Sequence, residues 1–248
     1  MFIDVHCHLD MFDSIGKIVA NAKKKDVKLM VAQGTDVESN RKVLEFASNF
    51  KEIKAALGIY PINALAMKEA DIEKEIKFIK QNRDKIVAIG EVGLDLKDSQ
   101  VELFDKQQRV FQYFIDLAIE LNVPIIVHSR KAELQSIIQL EQSNAKKVIM
   151  HCFSGKLLLA KRIAENNWHL SIPTSVKNSE HFQKVIEQTP IEQLLCETDS
   201  PYLHPDKLYP NEPCNVTVSY EMIAKLKNLK LKDVEKQLED SYKKLFLE

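Results

Sequence analysis

The 248-residue chain lacks several features that would each have fixed its class at once. It has no excess of charge of one sign, with 35 Lys and Arg against 36 Asp and Glu and a net charge of −1. A domain that coats nucleic acid carries a strongly basic balance, so any attraction for phosphate here must be local. No apolar run approaches the roughly 20 residues that span a bilayer, which excludes a transmembrane helix. The four cysteines, Cys7, Cys152, Cys196 and Cys214, are widely spaced and form no CxxC pair. That argues against a disulfide framework and for reduced, mostly buried thiols. Met1-Phe2-Ile3-Asp4-Val5-His6 enters a strand-like run directly, without the basic and small-residue regions of a signal peptide, so a cytoplasmic location is expected. No GxGxxG follows a strand and no GxxxxGKS/T occurs, so nucleotide-binding folds gain no support. No Ser/Gly-rich linker, charge block or low-complexity tract divides the chain, and one domain over residues 1–248 is expected.

What is present is a repeat of apolar runs, each followed by a charged stretch of helical period, in a chain 45% hydrophobic and 29% charged. The strand candidates are Phe2–His6, Lys28–Gly34, Ile53–Ile59, Ile86–Val92, Pro124–His128, Lys147–Cys152, Trp168–Pro173 and Gln193–Asp199. Helix candidates between them are Ile15–Lys25, Val37–Phe50, Asp71–Asn82, Gln100–Asn122, Lys131–Gln142, Gly155–Asn166 and Ser179–Gln188. Val216–Asn228 and Leu231–Phe246 follow the last strand. In Gln100–Asn122 the spacing of Val101, Phe104, Gln108, Phe111, Phe114, Ile115, Ala118 and Leu121 predicts one buried stripe. Eight β-then-α units averaging about 31 residues favour an α/β fold of the (β/α)8 TIM-barrel type over an open sheet.

The metal-capable side chains then fall in one kind of place. His6 and His8 end the first strand, Glu91 the fourth, His128 the fifth, His151 the sixth and Asp199 the eighth. The carboxyl ends of the strands are where a βα-barrel builds its active site. Strand residues two apart share a face, which aligns His6 with His8, Ile126 with His128, and Leu195 with Glu197 and Asp199. The same alternation turns the cysteines beside them out of the barrel. An ionised carboxylate at Glu91, at the end of an apolar strand, needs a partner or a metal. His169, His181 and His204 lack this placement and read as surface or loop residues, with His204 nearest to a rim position. Imidazoles and carboxylates without thiolate suit Zn²⁺, Mn²⁺ and similar ions, and Mg²⁺ where substrate oxygens complete the shell. Six such groups exceed the needs of one ion and suffice for two sharing a carboxylate. Two divalent ions less two carboxylates leave about +2 in a cavity, a focused attractor for phosphate. Arg130, Lys156 and Lys177, just after the fifth, sixth and seventh strands, add candidate phosphate contacts. Glu197 is a candidate to hold a ligand from behind.

Asp4-Val5-His6-Cys7-His8-Leu9-Asp10, Gly90-Glu91-Val92-Gly93-Leu94-Asp95, Val127-His128-Ser129-Arg130, His151-Cys152-Phe153-Ser154-Gly155 and Glu197-Thr198-Asp199-Ser200-Pro201-Tyr202 resemble the TatD family of metal-dependent hydrolases. With Asn211-Glu212-Pro213 the resemblance spans residues 4–213. It implies a TIM barrel of the amidohydrolase superfamily, two divalent metals and, for several members, deoxyribonuclease activity. It also implies that His6, His8, Glu91 and Asp199 hold one ion and Glu91, His128 and His151 the other, with Glu91 bridging. Three positions depart from the family's pattern. Tyr60 stands where a His often precedes Pro61, Leu96 stands where an aromatic residue is common, and Leu208-Tyr209-Pro210 replace basic residues. The first two alter the pocket wall, and the third weakens the case for nucleic acid.

The expected chemistry is metal-assisted hydrolysis with Asp199 and Glu91 as catalytic residues, Asp199 orienting the attacking water and taking its proton. The expected substrate is DNA or another phosphodiester, cut from its ends. Non-specific cleavage needs only backbone contacts, so the missing basic patch is tolerable. The same centre could instead hydrolyse an ester such as aminoacyl-tRNA, an amide or a lactone, since fold and metal do not fix substrate. A non-catalytic barrel would have lost ligands, and none is lost. Nothing in the pattern calls for an obligate protein partner.

Overall fold

Each of the eight apolar runs becomes a strand. In the computed structural model, which describes residues 1–99 and 101–248, these are β1 (Phe2–Cys7), β2 (Val27–Gln33), β3 (Ile53–Leu57), β4 (Ile86–Gly93), β5 (Ile125–His128), β6 (Val148–Met150), β7 (His169–Pro173) and β8 (Leu194–Glu197). They lie in one sheet in chain order, and every paired neighbour is parallel. The helices around them are α1 (Ile15–Lys24), α2 (Val37–Asn49), α3 (Pro61–Ala66), α4 (Glu69–Gln81), α5 (Phe104–Leu121), α6 (Glu133–Gln142), α7 (Leu157–Glu165), α8 (Glu180–Gln188), α9 (Thr217–Lys227) and α10 (Leu231–Phe246). This is the expected (β/α)8 barrel.

Local chemistry explains the boundaries. Asp36 and Ser39 form a reciprocal capping box at the start of α2, and the Ser179 side chain accepts from the Phe182 amide at the start of α8. Asn122 and Asn228 end α5 and α9 in the left-handed region, with φ of 54° and 53°, a conformation asparagine tolerates better than most residues. The sequence periodicity missed α3, which is too short to display a stripe and is set by Pro61 at its first position. In α5 the helix starts at Phe104, and Gln107 rather than Gln108 is buried. The Gln107 amide is satisfied by the backbone of Asp95, accepting from its N–H (2.7 Å) and donating to its carbonyl (2.9 Å). The first residue of the expected Gln100–Asn122 helix lies outside the described residues.

Two cores sandwich the strands. Ile3, Val5, Val31, Ala56, Ala88, Ile126, Ile149 and Leu195 fill the barrel, and Tyr242, Leu245 and Phe246 of α10 close its lower end. The larger core lies between strands and helices and includes Cys7 and Cys196, both turned outward as expected. Cys152 packs against the same core, but it lies beyond β6 with φ of 44°, off the regular strand, and also lines a cavity at the upper end of the barrel. The upper end also imposes close backbone approach. At Gly93 (φ 141°) a Cβ would sit 2.0 Å from the carbonyl oxygen of His128, so only glycine fits.

The barrel shuts without a regular ladder between β1 and β8. Instead the Asp199 amide donates to the carbonyl of His6 (3.0 Å), and the His8 amide to that of Ser200 (2.8 Å). The Asp4 carboxylate braces this seam from the side, accepting from the Thr198 amide (3.0 Å), the Thr198 hydroxyl (2.6 Å) and the His6 amide (3.2 Å). Among the described residues no helix is long and apolar enough to cross a membrane.

Candidate metal centre

His128 and His151 reach the mouth of the barrel by plain alternation, two residues beyond the inward Ile126 and Ile149. His6 and Glu91 do not. Counting from the inward Val5 and Ala88 would place His6 and Glu91 on the outer face. Both strands carry a register shift there, between Asp4 and Cys7 in β1 and between Ile89 and Val92 in β4. The extra residue resets the alternation and re-aims both side chains, a common use of irregularity beside active sites.

The result is a buried cluster in which Glu91, 3% exposed, is central. Its Oε2 lies 3.6 Å from His6 Nε2 and 3.4 Å from His8 Nε2. Its Oε1 lies 3.0 Å from His128 Nδ1 and 3.2 Å from His151 Nε2. Asp199 Oδ1 completes the first group at 3.5 Å from His6 Nε2 and 3.3 Å from His8 Nε2, and the two Nε2 atoms are 3.3 Å apart. These spacings can be tested against an ion. Ligand atoms about 2.1 Å from a tetrahedral centre stand about 3.4 Å apart, and about 3.0 Å apart around an octahedral one. The first group spans 3.3–3.6 Å and the second has edges of 3.0 and 3.2 Å, spacings of the size that ligands around an ion show. His6, His8 and Glu91 form one potential metal-binding group and Glu91, His128 and His151 another, while a third joins His6, His151 and Asp199.

Electrostatics follow from this packing. Burial would raise the Glu91 carboxyl, but His151 and hydrogen bonds from His128, His151 and His6 hold it well below the carboxylate range. Burial likewise opposes the ionised form of Asp199, and His8 with the neighbouring imidazoles outweighs it. His6, stacked on His151 with ring centroids 3.9 Å apart, is kept neutral by burial and by the other imidazole. Burial would also favour neutral His151, but Glu197 and Glu91 raise it well above the usual imidazole value.

Behind the cluster stand two further carboxylates. Glu197 Oε1 lies 3.4 Å from His151 Nδ1, and its Oε2 accepts from the Ser171 hydroxyl (2.5 Å). Asp95 was missed as a functional residue. Its Oδ2 lies 2.9 Å from His128 Nε2 and accepts from the Tyr60 hydroxyl at 3.0 Å, while its Oδ1 accepts from the amides of Lys97 and Asp98. The available signal was that a ligating histidine needs an acceptor for its other nitrogen.

The cluster floors a cavity of about 630 Å³ lined by, among others, Asp10, Thr35, Tyr60, Asn63, Arg130 and Tyr202. Arg130 is on its wall, with one guanidinium nitrogen 2.9 Å from Asp98 Oδ2. Lys156 is exposed just ahead of α7 and outside that wall, and Lys177 is paired with Asp206 at 2.5 Å. Leu203, not His204, reaches the cavity; His204 Nδ1 accepts from the Asp206 amide instead. His181 contacts the carbonyl of Phe153, and His169 opens β7. Tyr60 lines the wall, whereas Leu96 packs against the outer core and does not reach the cavity. Leu208 and Tyr209 are exposed.

Comparison with known proteins agrees with the geometry. The family model described as TatD related DNase matches residues 3–247. The chain is 37% identical to an uncharacterized metal-dependent hydrolase of Methanocaldococcus jannaschii, over 94% of this chain and 92% of that protein. It is 32% identical to the human deoxyribonuclease TATDN3, over 98% and 94%. The crystal structure of YJJV, a TatD homologue from Escherichia coli, superposes with a TM-score of 0.92 at 26% identity, covering 100% of this chain and 98% of that one.

Proposed function

The chain belongs to the family of TatD-related DNases, metal-dependent hydrolases of ester bonds, and we propose that it removes residues from the ends of DNA with two divalent ions. His6, His8, Glu91 and Asp199 would hold one ion and Glu91, His128 and His151 the other. The observation that carries this reading is the division of one carboxylate: each Glu91 oxygen faces a different pair of imidazoles. Bound there, Mg²⁺, Mn²⁺ or Zn²⁺ would polarise a phosphoryl oxygen and make water acidic enough to ionise near neutral pH.

The chain's own groups do the rest. Asp199 lies at the cavity floor beside His8 and is the carboxylate placed to orient the attacking water and take its proton. Arg130 offers the remaining N–H groups of its guanidinium to a phosphate from the wall. A cavity of about 630 Å³ suits one or two nucleotides, within the usual range for small-ligand sites, and is too small for the body of a duplex. That favours attack on chain ends. The whole chain acts as one hydrolase domain in this reading.

The exposed, uncharged Leu208 and Tyr209 favour a second reading, in which the same centre cleaves a carboxylic ester such as aminoacyl-tRNA. A screen separates the two. Protein loaded with Mg²⁺, Mn²⁺ or Zn²⁺ is offered 3′- and 5′-labelled single-stranded DNA, aminoacyl-tRNA and simple esters. Stepwise shortening of DNA, abolished in Asp199→Asn, is the expected result. Turnover of an ester with every DNA substrate intact would overturn the nuclease reading.

A further inference from the structure

The mouth of a closed eight-stranded barrel places β2 opposite β6, so the loops after β1–β3 face those after β5 and β6 across the cavity. Their chemistry is opposite too. On the β5–β6 side the wall offers donors: the Arg130 guanidinium and the hydroxyls of Ser129 and Ser154. On the β1–β3 side it offers acceptors. Asn63 donates its amide nitrogen to the carbonyl of Thr35 (3.0 Å), which leaves its Oδ1 free to accept. Asp10 lines the same cavity, and no described Lys, Arg or His forms an ion pair with it. Lys42 is engaged with Glu38 at 2.8 Å. A carboxylate in a cavity wall with no cation paired to it attracts a ligand's hydrogen-bond donor and repels its anionic groups.

Resting on the phosphodiester reading above, we propose that Asp10 selects the terminal group of the substrate, accepting a hydrogen bond from a free hydroxyl and rejecting a terminal phosphate. The scissile phosphate lies over the metal-binding cluster, the terminal residue with its free hydroxyl lies toward Asp10 and Asn63, and the remaining anionic chain lies toward Arg130. A phosphate in place of that hydroxyl would put like charges together in a poorly solvated cavity, where repulsion is strong enough to set specificity.

The test uses thymidine 5′-(p-nitrophenyl phosphate) with its 3′ position either free or phosphorylated, and the reversed pair built on the 3′-phosphodiester. Release of p-nitrophenol is followed with the Mn²⁺-loaded full chain. The free-hydroxyl member of at least one pair is expected to have a kcat/KM about tenfold higher or more, roughly 1.4 kcal/mol of discrimination. In Asp10→Asn the ratio is expected to fall to within about threefold. The ratio compares two substrates on the same preparation, so partial misfolding of the variant does not affect it. Equal rates within both pairs, or a preference that persists in Asp10→Asn, would overturn the role of Asp10 and leave the phosphodiester reading standing. Failure to hydrolyse any of the four diesters would overturn both.

Discussion

Replacing Asp95 by Asn tests whether this carboxylate, remote from solvent, sets the protonation of His128, a proposed metal ligand. Asp95 Oδ1 is fixed by the amides of Lys97 (2.7 Å) and Asp98 (2.9 Å), and its own backbone by Gln107, so an asparagine would keep its oxygen in that position. The new amide nitrogen then takes the place of Oδ2, 2.9 Å from His128 Nε2 and 3.0 Å from the Tyr60 hydroxyl. With an ion bound, Nε2–H would donate to Asp95 and the Nδ1 lone pair, on the side of Glu91 Oε1 at 3.0 Å, would be free to ligate. In the variant the amide donates to Nε2, the proton moves to Nδ1, and the ligating lone pair is lost. Charge-assisted hydrogen bonds contribute about 1.5–3 kcal/mol. Loss of such a supporting partner costs about 10- to 100-fold in metal affinity. Titration of metal-free protein with Mn²⁺ or Zn²⁺ against a chelator should show one of two binding events weakened by that factor. The event assigned to His6, His8 and Asp199 should change little. Unchanged affinity for both ions would mean that Asp95 merely caps its loop, and the tautomer argument would fail.

Further outcomes follow from other parts of the molecule. If Glu91 is shared, wild-type protein should carry about two ions, His8→Ala about one and Glu91→Gln fewer than one by elemental analysis; equal content in both variants would make Glu91 an ordinary single-site ligand. His169 reports on acid stability instead: burial and the nearby Lys244 push it down to about 4. The unfolded imidazole titrates near 6.5 and binds more protons, so stability is lost as pH falls from 6.5 toward 4, by about 2.5 kcal/mol at pH 4.5. Urea unfolding of His169→Gln should show a shallower loss between pH 7 and 4.5, and parallel losses would refute the assignment. Glu75, 2% exposed, pairs with Arg41 through both oxygens and accepts from Asn40 at 2.8 Å, and Asn40 in turn holds Gly58 after β3. Glu75→Ala should destabilise by about 2–4 kcal/mol in thermal or chemical unfolding, less than a fully buried pair because Arg41 is part-exposed. A change below about 0.5 kcal/mol would show the network to be incidental.

The sequence by itself determined the barrel and the cast of its centre. Strands buried on both faces must be apolar runs, and the helices between them must carry one apolar stripe, so both are visible in one dimension. Side chains with metal chemistry stand out at the ends of such runs because little else polar belongs there. Lys156 and His204 show the limit of that reasoning: closeness in sequence to a strand end does not bring a flexible or locally bonded side chain to the cavity. Only the tertiary structure decided which way His6 and Glu91 point. Strict alternation from Val5 and Ala88 would have turned both outward, and the register shifts that turn them inward arise from pairing with neighbouring strands. Closure of the barrel likewise depends on contacts between residues nearly 200 positions apart, such as Asp4 with Thr198. The carboxylates behind the histidines, Asp95 and Glu197, acquire their roles the same way: a hydrogen bond at 2.9 Å is a fact of three-dimensional packing that no local pattern encodes.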